Sequence, residues 1–275
     1  MTAERRINAL TLAGGVLLAL LVTLVVFGGA IAPHDPNQID LTQRLQAPSL
    51  AHPFGTDQLG RCVASRILAG AAMTLSAGVG ASLLAFAAGL IIGVGAGLLG
   101  GRGDWLLMRL VDVALAFPGL VLALVLAGFL PPSPTSLTFA LALAAWPWWA
   151  RLSRGLAREA ATREYVVAAR ALGLGWPRLL TRYLLPQLWP SLSIALAVRT
   201  GGLLAAVAGL SYLGLGAQPP TPEWGRMLEE ARVHMGQAPW LMLAPGLALT
   251  VAIAACHLFA EGLRDQLAMR RTEPV

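Results

Sequence analysis

Apolar runs of bilayer length recur along this chain, and they constrain its fold more than any other feature. The first covers about residues 9–32 and contains LTLAGGVLLALLVTLVVFGGAIA. Others lie at about 73–99, 106–130, 136–150, 188–213 and 240–260. Crossing the hydrocarbon core as a helix takes roughly 20 apolar residues. A β-barrel would instead alternate over segments of about ten, and no such alternation is visible. Of 275 residues, 56% are hydrophobic and 12% charged, against about 25% charged in soluble domains. The expectation is an all-α membrane protein with six transmembrane helices.

The first run could be mistaken for a cleaved leader, since Ala30-Ile31-Ala32 mimics a cleavage site. It is longer than a leader's core of roughly 7–15 residues, and Pro33 follows at once, so it reads as a retained span. No charge falls between residues 113 and 150. Pro131, Pro132 and Pro134 divide that stretch into two spans joined by a tight hairpin, because proline ends helices. Six spans place both termini on one side.

Arginine settles which side. The 20 basic residues are all Arg. With the N-terminus inside, 15 fall on inner segments, seven of them between residues 151 and 182, and 5 on outer ones. Basic excess marks cytoplasmic loops, so the termini and the 151–187 loop are expected in the cytoplasm. The net charge of +6 follows from this bias. No basic stripe with interleaved aromatics suggests nucleic acid.

The absence of Lys has mechanistic force. A phosphate-cradling GxxxxGK[ST] loop needs its Lys, and Schiff-base chemistry needs one too. Any ATP-driven work must therefore draw on hydrolysis in another subunit, with no cofactor held here. Cys62 and Cys256 form no CxxC; a disulfide between them is conceivable, but free thiols fit better because Cys256 lies in an apolar run. The four histidines show no HxxxH spacing, so no metal site is expected.

The segment EYVVAARALGLGWPRLLTRYLLP, residues 164–186, sits between two apolar runs and cannot be a span. At 100° per residue, Tyr165, Ala168, Ala169 and Leu172 share one stripe, with Arg163, Val167 and Arg170 opposite. Thr162 fits an N-cap, and Glu164 lies in the first turn, where the helix dipole favours an acid. Gly173 and Gly175 offer left-handed backbone to end the helix, and Pro177 can begin the next. So short a helix is marginal alone in water. It either folds back on its own bundle or bilayer surface, or docks in a groove of a partner.

This segment resembles the cytoplasmic EAA loop of ATP-binding-cassette (ABC) importer permeases: E-A-A, three residues, Gly, nine residues, Ile, any residue, Leu-Pro. Here Val167-Ala168-Ala169, Gly173 and Tyr183-Leu184-Leu185-Pro186 keep that spacing, with Val167 in place of Glu and Tyr183 in place of Ile. HPFGTDQLGRCVASRILAGA (52–71), RLVDVALAFPGLVLAL (109–124) and LSYLGLGAQPPTPEWGRMLEEAR (210–232) are similar to the dipeptide/oligopeptide/nickel group, specifically its second permease subunit. Cys62 stands where that group commonly has Asp. The resemblance runs from about residue 10 to 267.

It implies a type I importer permease fold in a bacterial or archaeal cytoplasmic membrane. It also implies a second, non-identical permease subunit, two ATPase subunits that bind the ATP, and an extracytoplasmic substrate-binding protein. The ATPase-coupling residues would be Glu164, Tyr165, Ala168, Ala169, Arg170, Leu172, Gly173 and Pro186. The implied cargo is a di- or oligopeptide, with nickel or a metal–chelator complex as the alternative. A self-sufficient secondary transporter, from another class, would show internal repeats and ionisable residues at mid-membrane. The implied organisation is residues 1–70 as stub, first helix and external loop, 71–266 as a five-helix core, and 267–275 as tail.

Other residues carry two readings each. Arg199 interrupts a span and either lines the pathway, pairs with the partner permease or snorkels to headgroups. Asp112, beside Arg109, either forms a structural pair, the expected case, or contacts the substrate. His257 and Cys256 are expected to pack in the core, and Trp146, Trp148 and Trp149 to form an interfacial belt. Glu223, Glu229 and Glu230, beside Arg226 and Arg232, either meet the binding protein or are solvated.

Overall fold

The computed structural model describes residues 9–272, apart from the side chains of Trp176, Pro177 and 268–272. Arg5 and Arg6, two of the 15 arginines on the expected inner segments, lie outside the described residues, as do residues 273–275 and the side chains of Arg270 and Arg271. The described residues are helical, with no named strand among them.

The order is α1 (Ala9–Phe27), α2 (Val63–Leu99), α3 (Gly101–Leu115), α4 (Gly119–Gly128), α5 (Pro134–Ala161), α6 (Glu164–Ala171) and α7 (Trp176–Leu179). A π-helical turn, Leu180–Leu184, leads into α8 (Leu185–Tyr212), and α9 (Trp224–Ala231) and α10 (Trp240–Thr272) follow. At 37 residues, α2 is about 55 Å long at 1.5 Å per residue, against a hydrocarbon core of roughly 30 Å. It therefore projects well beyond any membrane it crosses. The expected boundary at residue 70 falls inside it.

Four helices are long and apolar enough to span: α1, α2, Leu180–Tyr212 and Trp240–Leu267. The expected single span at 106–130 is broken, because α3 and α4 meet at 81°. Pro118 is the N-cap of α4, and proline disfavours helix in the residue before it. The proline hairpin is as expected, with Ser133 accepting from the Ser136 amide and Pro134 in the first turn of α5. Length and composition do not by themselves yield six crossings. α5, expected as the fourth, has 28 residues, but Trp, Pro and then Arg151, Arg154 and Arg158 dilute its apolar half.

Small residues hold the bundle together. Gly89 and Gly93, one turn apart on α2, face the backbone of α5: a Cβ on Gly89 would overlap Trp149, and one on Gly93 the Ala150 carbonyl. Ala77, Ala81 and Ala85 continue the same four-residue ladder, the first two buried with Leu137, Leu141 and Val207 and Ala85 in the cluster that holds Phe86 and Trp149. Close backbone approach of this kind replaces the hydrophobic drive that lipid cannot supply. Gly14 of α1 meets the Phe259 backbone of α10 in the same way. The outer faces remain apolar, as Leu12, Val16, Leu20 and Val26 on α1 illustrate.

Trp149 is part of this interior rather than an interfacial belt. It is 1% exposed and meets Phe86 edge-on at 5.0 Å between ring centroids. Cys256 is buried as expected, but His257 is exposed, one residue further round the helix.

Candidate docking surface and pathway

α6 begins one residue later than expected. Thr162 is the C-cap of α5, its hydroxyl donating to the Glu159 carbonyl, and Arg163 is the residue before the first turn of α6. The Arg163 guanidinium also reaches the Glu159 carboxylate at 2.9 Å, bracing the corner. At the other end, Gly173 takes φ +79°. Its amide donates to the Arg170 carbonyl, and the Leu174 amide to that of Ala169, at 2.9 and 3.2 Å. That pair of bonds is a Schellman cap, whose left-handed position favours glycine. Gly175, also expected to turn left-handed, does not.

The expected stripe splits between two faces. Ala169 is buried, 5% exposed, together with Val166 at 0%, in a cluster that includes Val94, Leu179 and Leu184. Tyr165, Ala168 and Leu172 are exposed, as are Glu164, Arg170 and Gly173. The helix thus folds back on its bundle through Val166 and Ala169, and presents Tyr165, Ala168 and Leu172 outward. The Tyr165 ring stacks on Tyr183 of the π-helical turn. Pro186 is exposed in the first turn of α8.

A second feature lies among α3–α5 and α8. A cavity of about 360 Å³ is lined by residues including Phe117, Leu141, Trp148, Trp149 and Arg199. The Arg199 guanidinium sits over the Trp148 ring, 3.9 Å from its centroid. Such stacking offsets part of the cost of holding a cation in an apolar site. Among the described residues Arg199 has no carboxylate partner. Asp112 pairs with Arg151 rather than with Arg109, which lies over Trp105 instead.

The acidic residues near α9 are committed within the chain. Glu223, 2% exposed, caps α9 by accepting from the Gly225 and Arg226 amides at 2.9 Å each, and takes a third bond from Thr74 on α2. The Trp224 indole donates to the Ile67 carbonyl at 2.9 Å. Glu230 meets Arg61 at 3.0 Å and Arg66 at 3.7 Å, with Asp57 completing a buried network. Neither expected reading of Glu223, solvated or partner-facing, survives its burial.

A helical bundle with outer apolar faces, a cation beside an internal cavity and one short, rigidly capped helix at its end has the makings of a transport subunit. Residues 89–273 match the family described as binding-protein-dependent transport system inner membrane component. Residues 6–48 match the N-terminal TM domain of oligopeptide transport permease C. The chain belongs to this family: it is a multi-pass inner-membrane permease component and not an enzyme. It is 42% identical to the glutathione transport system permease protein GsiD of Shigella flexneri serotype 5b (strain 8401) over 259 residues, covering 94% of this chain and 86% of that protein. The protein of that name from Escherichia coli O6:K15:H31 (strain 536 / UPEC) is 39% identical over the same shares.

Proposed function

We propose that this chain is one of two non-identical pore-forming subunits of an importer for small peptides. Two ATPase subunits drive it and an extracytoplasmic binding protein supplies it. The termini and the 151–187 loop face the cytoplasm, where α6 seats in a cleft of one ATPase subunit. The observation that carries this reading is the division of α6 into a buried face, Val166 and Ala169, and an exposed one, Tyr165, Ala168 and Leu172. A helix fixed on one side and bare and largely apolar on the other is suited to passing movement between subunits.

Peptide cargo fits the name of the glutathione relatives and the chemistry of the cavity. A peptide brings a carboxylate and apolar or sulfur-bearing side chains. Arg199 supplies a cation for the first, and the aromatic wall suits the second. The test is reconstitution with the neighbouring subunits in proteoliposomes, following uptake of labelled glutathione and dipeptides. Uptake should need ATP, the ATPase subunits and the binding protein. Uptake driven by an ion gradient alone would mean a self-sufficient carrier and would overturn the proposal.

A further inference from the structure

The segment between α1 and α2 brings together three residues that no spacing in the sequence connects. His34, His52 and Cys62 each place one donor atom within 4.8 Å of the other two. The two imidazoles lie 4.6 Å apart between centroids, tilted by 34°. Both His34 Nδ1 and His52 Nδ1 are buried without a hydrogen-bond partner. Buried ring nitrogens ordinarily find one, so two unpaired atoms beside a free, buried thiol need a physical reason.

The surrounding hydrogen bonds supply it. Gln43 Nε2 donates to Asp40 Oδ2 at 3.0 Å, which fixes the amide so that its oxygen faces His52. His52 Nε2 is 2.7 Å from that oxygen and must therefore carry the ring proton and donate it. Nδ1 is left as a bare lone pair, buried and without a partner. Holding a ligating imidazole in one tautomer through its other nitrogen is the usual outer-shell arrangement of metal sites. The Asp40 carboxyl is held below its ordinary range, chiefly by the Thr42 hydroxyl, with Thr42's amide and Gln43 adding to it.

The frame is rigid as well. The His34 amide donates to Ser65 on α2 at 3.0 Å, and Cys62 is the N-cap residue of α2, paired across a bridge with Thr56. A cavity of about 80 Å³ opens beside all three residues, with Asp35 and Asp40 on its wall.

We propose that His34, His52 and Cys62 form a metal site of the thiolate–imidazole class, taking zinc(II). Zn–N bonds of about 2.0–2.1 Å and Zn–S of about 2.3 Å place tetrahedral donors roughly 3.3–3.6 Å apart. From separations within 4.8 Å, reaching that spacing asks the donor atoms to move by about 1 Å. The Cys62 thiol gives up its proton on binding, and the cavity provides the fourth position. Bound metal clamps the residues after α1, the intervening loop and the start of α2 to one another.

The experiment uses the tag-free, full-length chain in detergent, stripped with EDTA. It is titrated with zinc(II) against a chromogenic chelator, then with cobalt(II) while a thiolate-to-cobalt charge-transfer band is followed. One zinc per chain and a charge-transfer band are expected. Gln43→Ala should weaken zinc about 10–100-fold, Cys62→Ser and His52→Ala by more, and Cys256→Ser not at all. If the ligand variants fail to fold, the cobalt spectrum of the unaltered chain still decides. No charge-transfer band, or zinc uptake unchanged in folded Cys62→Ser, overturns the proposal.

Discussion

Tyr165 of α6 stacks on Tyr183 of the π-helical turn, with ring centroids 6.4 Å apart and planes 29° from parallel. Eighteen positions separate them in the chain, and the contact joins the first turn of the short helix to the segment that leads into α8. Aromatic pairs contribute about 0.5–1.5 kcal/mol beyond area burial. Tyr183→Ala should therefore speed hydrogen exchange of the α6 amides by up to about tenfold, at 1.4 kcal/mol per factor of ten. Hydrogen exchange with mass spectrometry on the purified chain measures this. Unchanged exchange would show that the stack braces nothing.

The two faces of α6 should respond differently to the same substitution. Val166 is 0% exposed and Leu172 81% exposed. Val166→Asp buries an unpaired carboxylate and should cost about 3 kcal/mol or more, visible as low abundance and a lowered Tm. Leu172→Asp should leave both unchanged and weaken ATPase co-purification instead. Equal destabilisation by the two would contradict the division of the helix.

These faces mark how far the sequence could be read. The helical period found α6 and its glycine stop, but period alone does not distinguish an apolar residue turned towards its own bundle from one turned outward. Ala169 therefore shares a stripe with Tyr165, Ala168 and Leu172 by period, yet is the one of the four that is buried. Glu223 misled differently: its partner Thr74 lies 149 positions away, so a carboxylate in a loop read as surface. The 81° break beside Pro118 has a signal in the proline itself, masked by the apolar run that continues on both sides of it. The Gly89/Gly93 ladder was equally visible as a four-residue repeat on α2. What the residues did disclose, helices and the absence of Lys, depends only on local composition.

Glu223 offers a test at the other end of the bundle. It satisfies two α9 amides and the Thr74 hydroxyl. Glu223→Ala strands those donors and should cost about 1–3 kcal/mol, read as a lower Tm. Glu229, a third exposed or less but outside this cap, should tolerate Ala with little change. Equal Tm values for the two variants would remove Glu223 from the frame.

Arg199 should matter through its charge. A hydrogen bond to a charged group contributes about 1.5–3 kcal/mol, so Arg199→Ala should reduce peptide uptake roughly 10–100-fold. Arg199→Lys keeps the cation over Trp148 and should retain a larger share. The check is initial uptake rate at matched protein levels in proteoliposomes. Uptake unaffected by Arg199→Ala would mean that the side chain merely reaches for headgroups.

If α6 transmits ATP hydrolysis to the pore, Gly173 is the position at which a substitution should break that link. Its φ of +79° costs a residue with a Cβ about 1–2 kcal/mol, and beyond its immediate chain neighbours nothing lies within 4 Å of an added Cβ. Gly173→Asp therefore disturbs the helix cap and its exposed face without crowding the bundle. The measurement is co-purification of the ATPase subunits together with binding-protein-stimulated ATP hydrolysis, on variant protein shown to be inserted at normal abundance. The expected result is loss of both ATPase retention and stimulated hydrolysis. Full retention of both would contradict the account and would move coupling to another part of the chain.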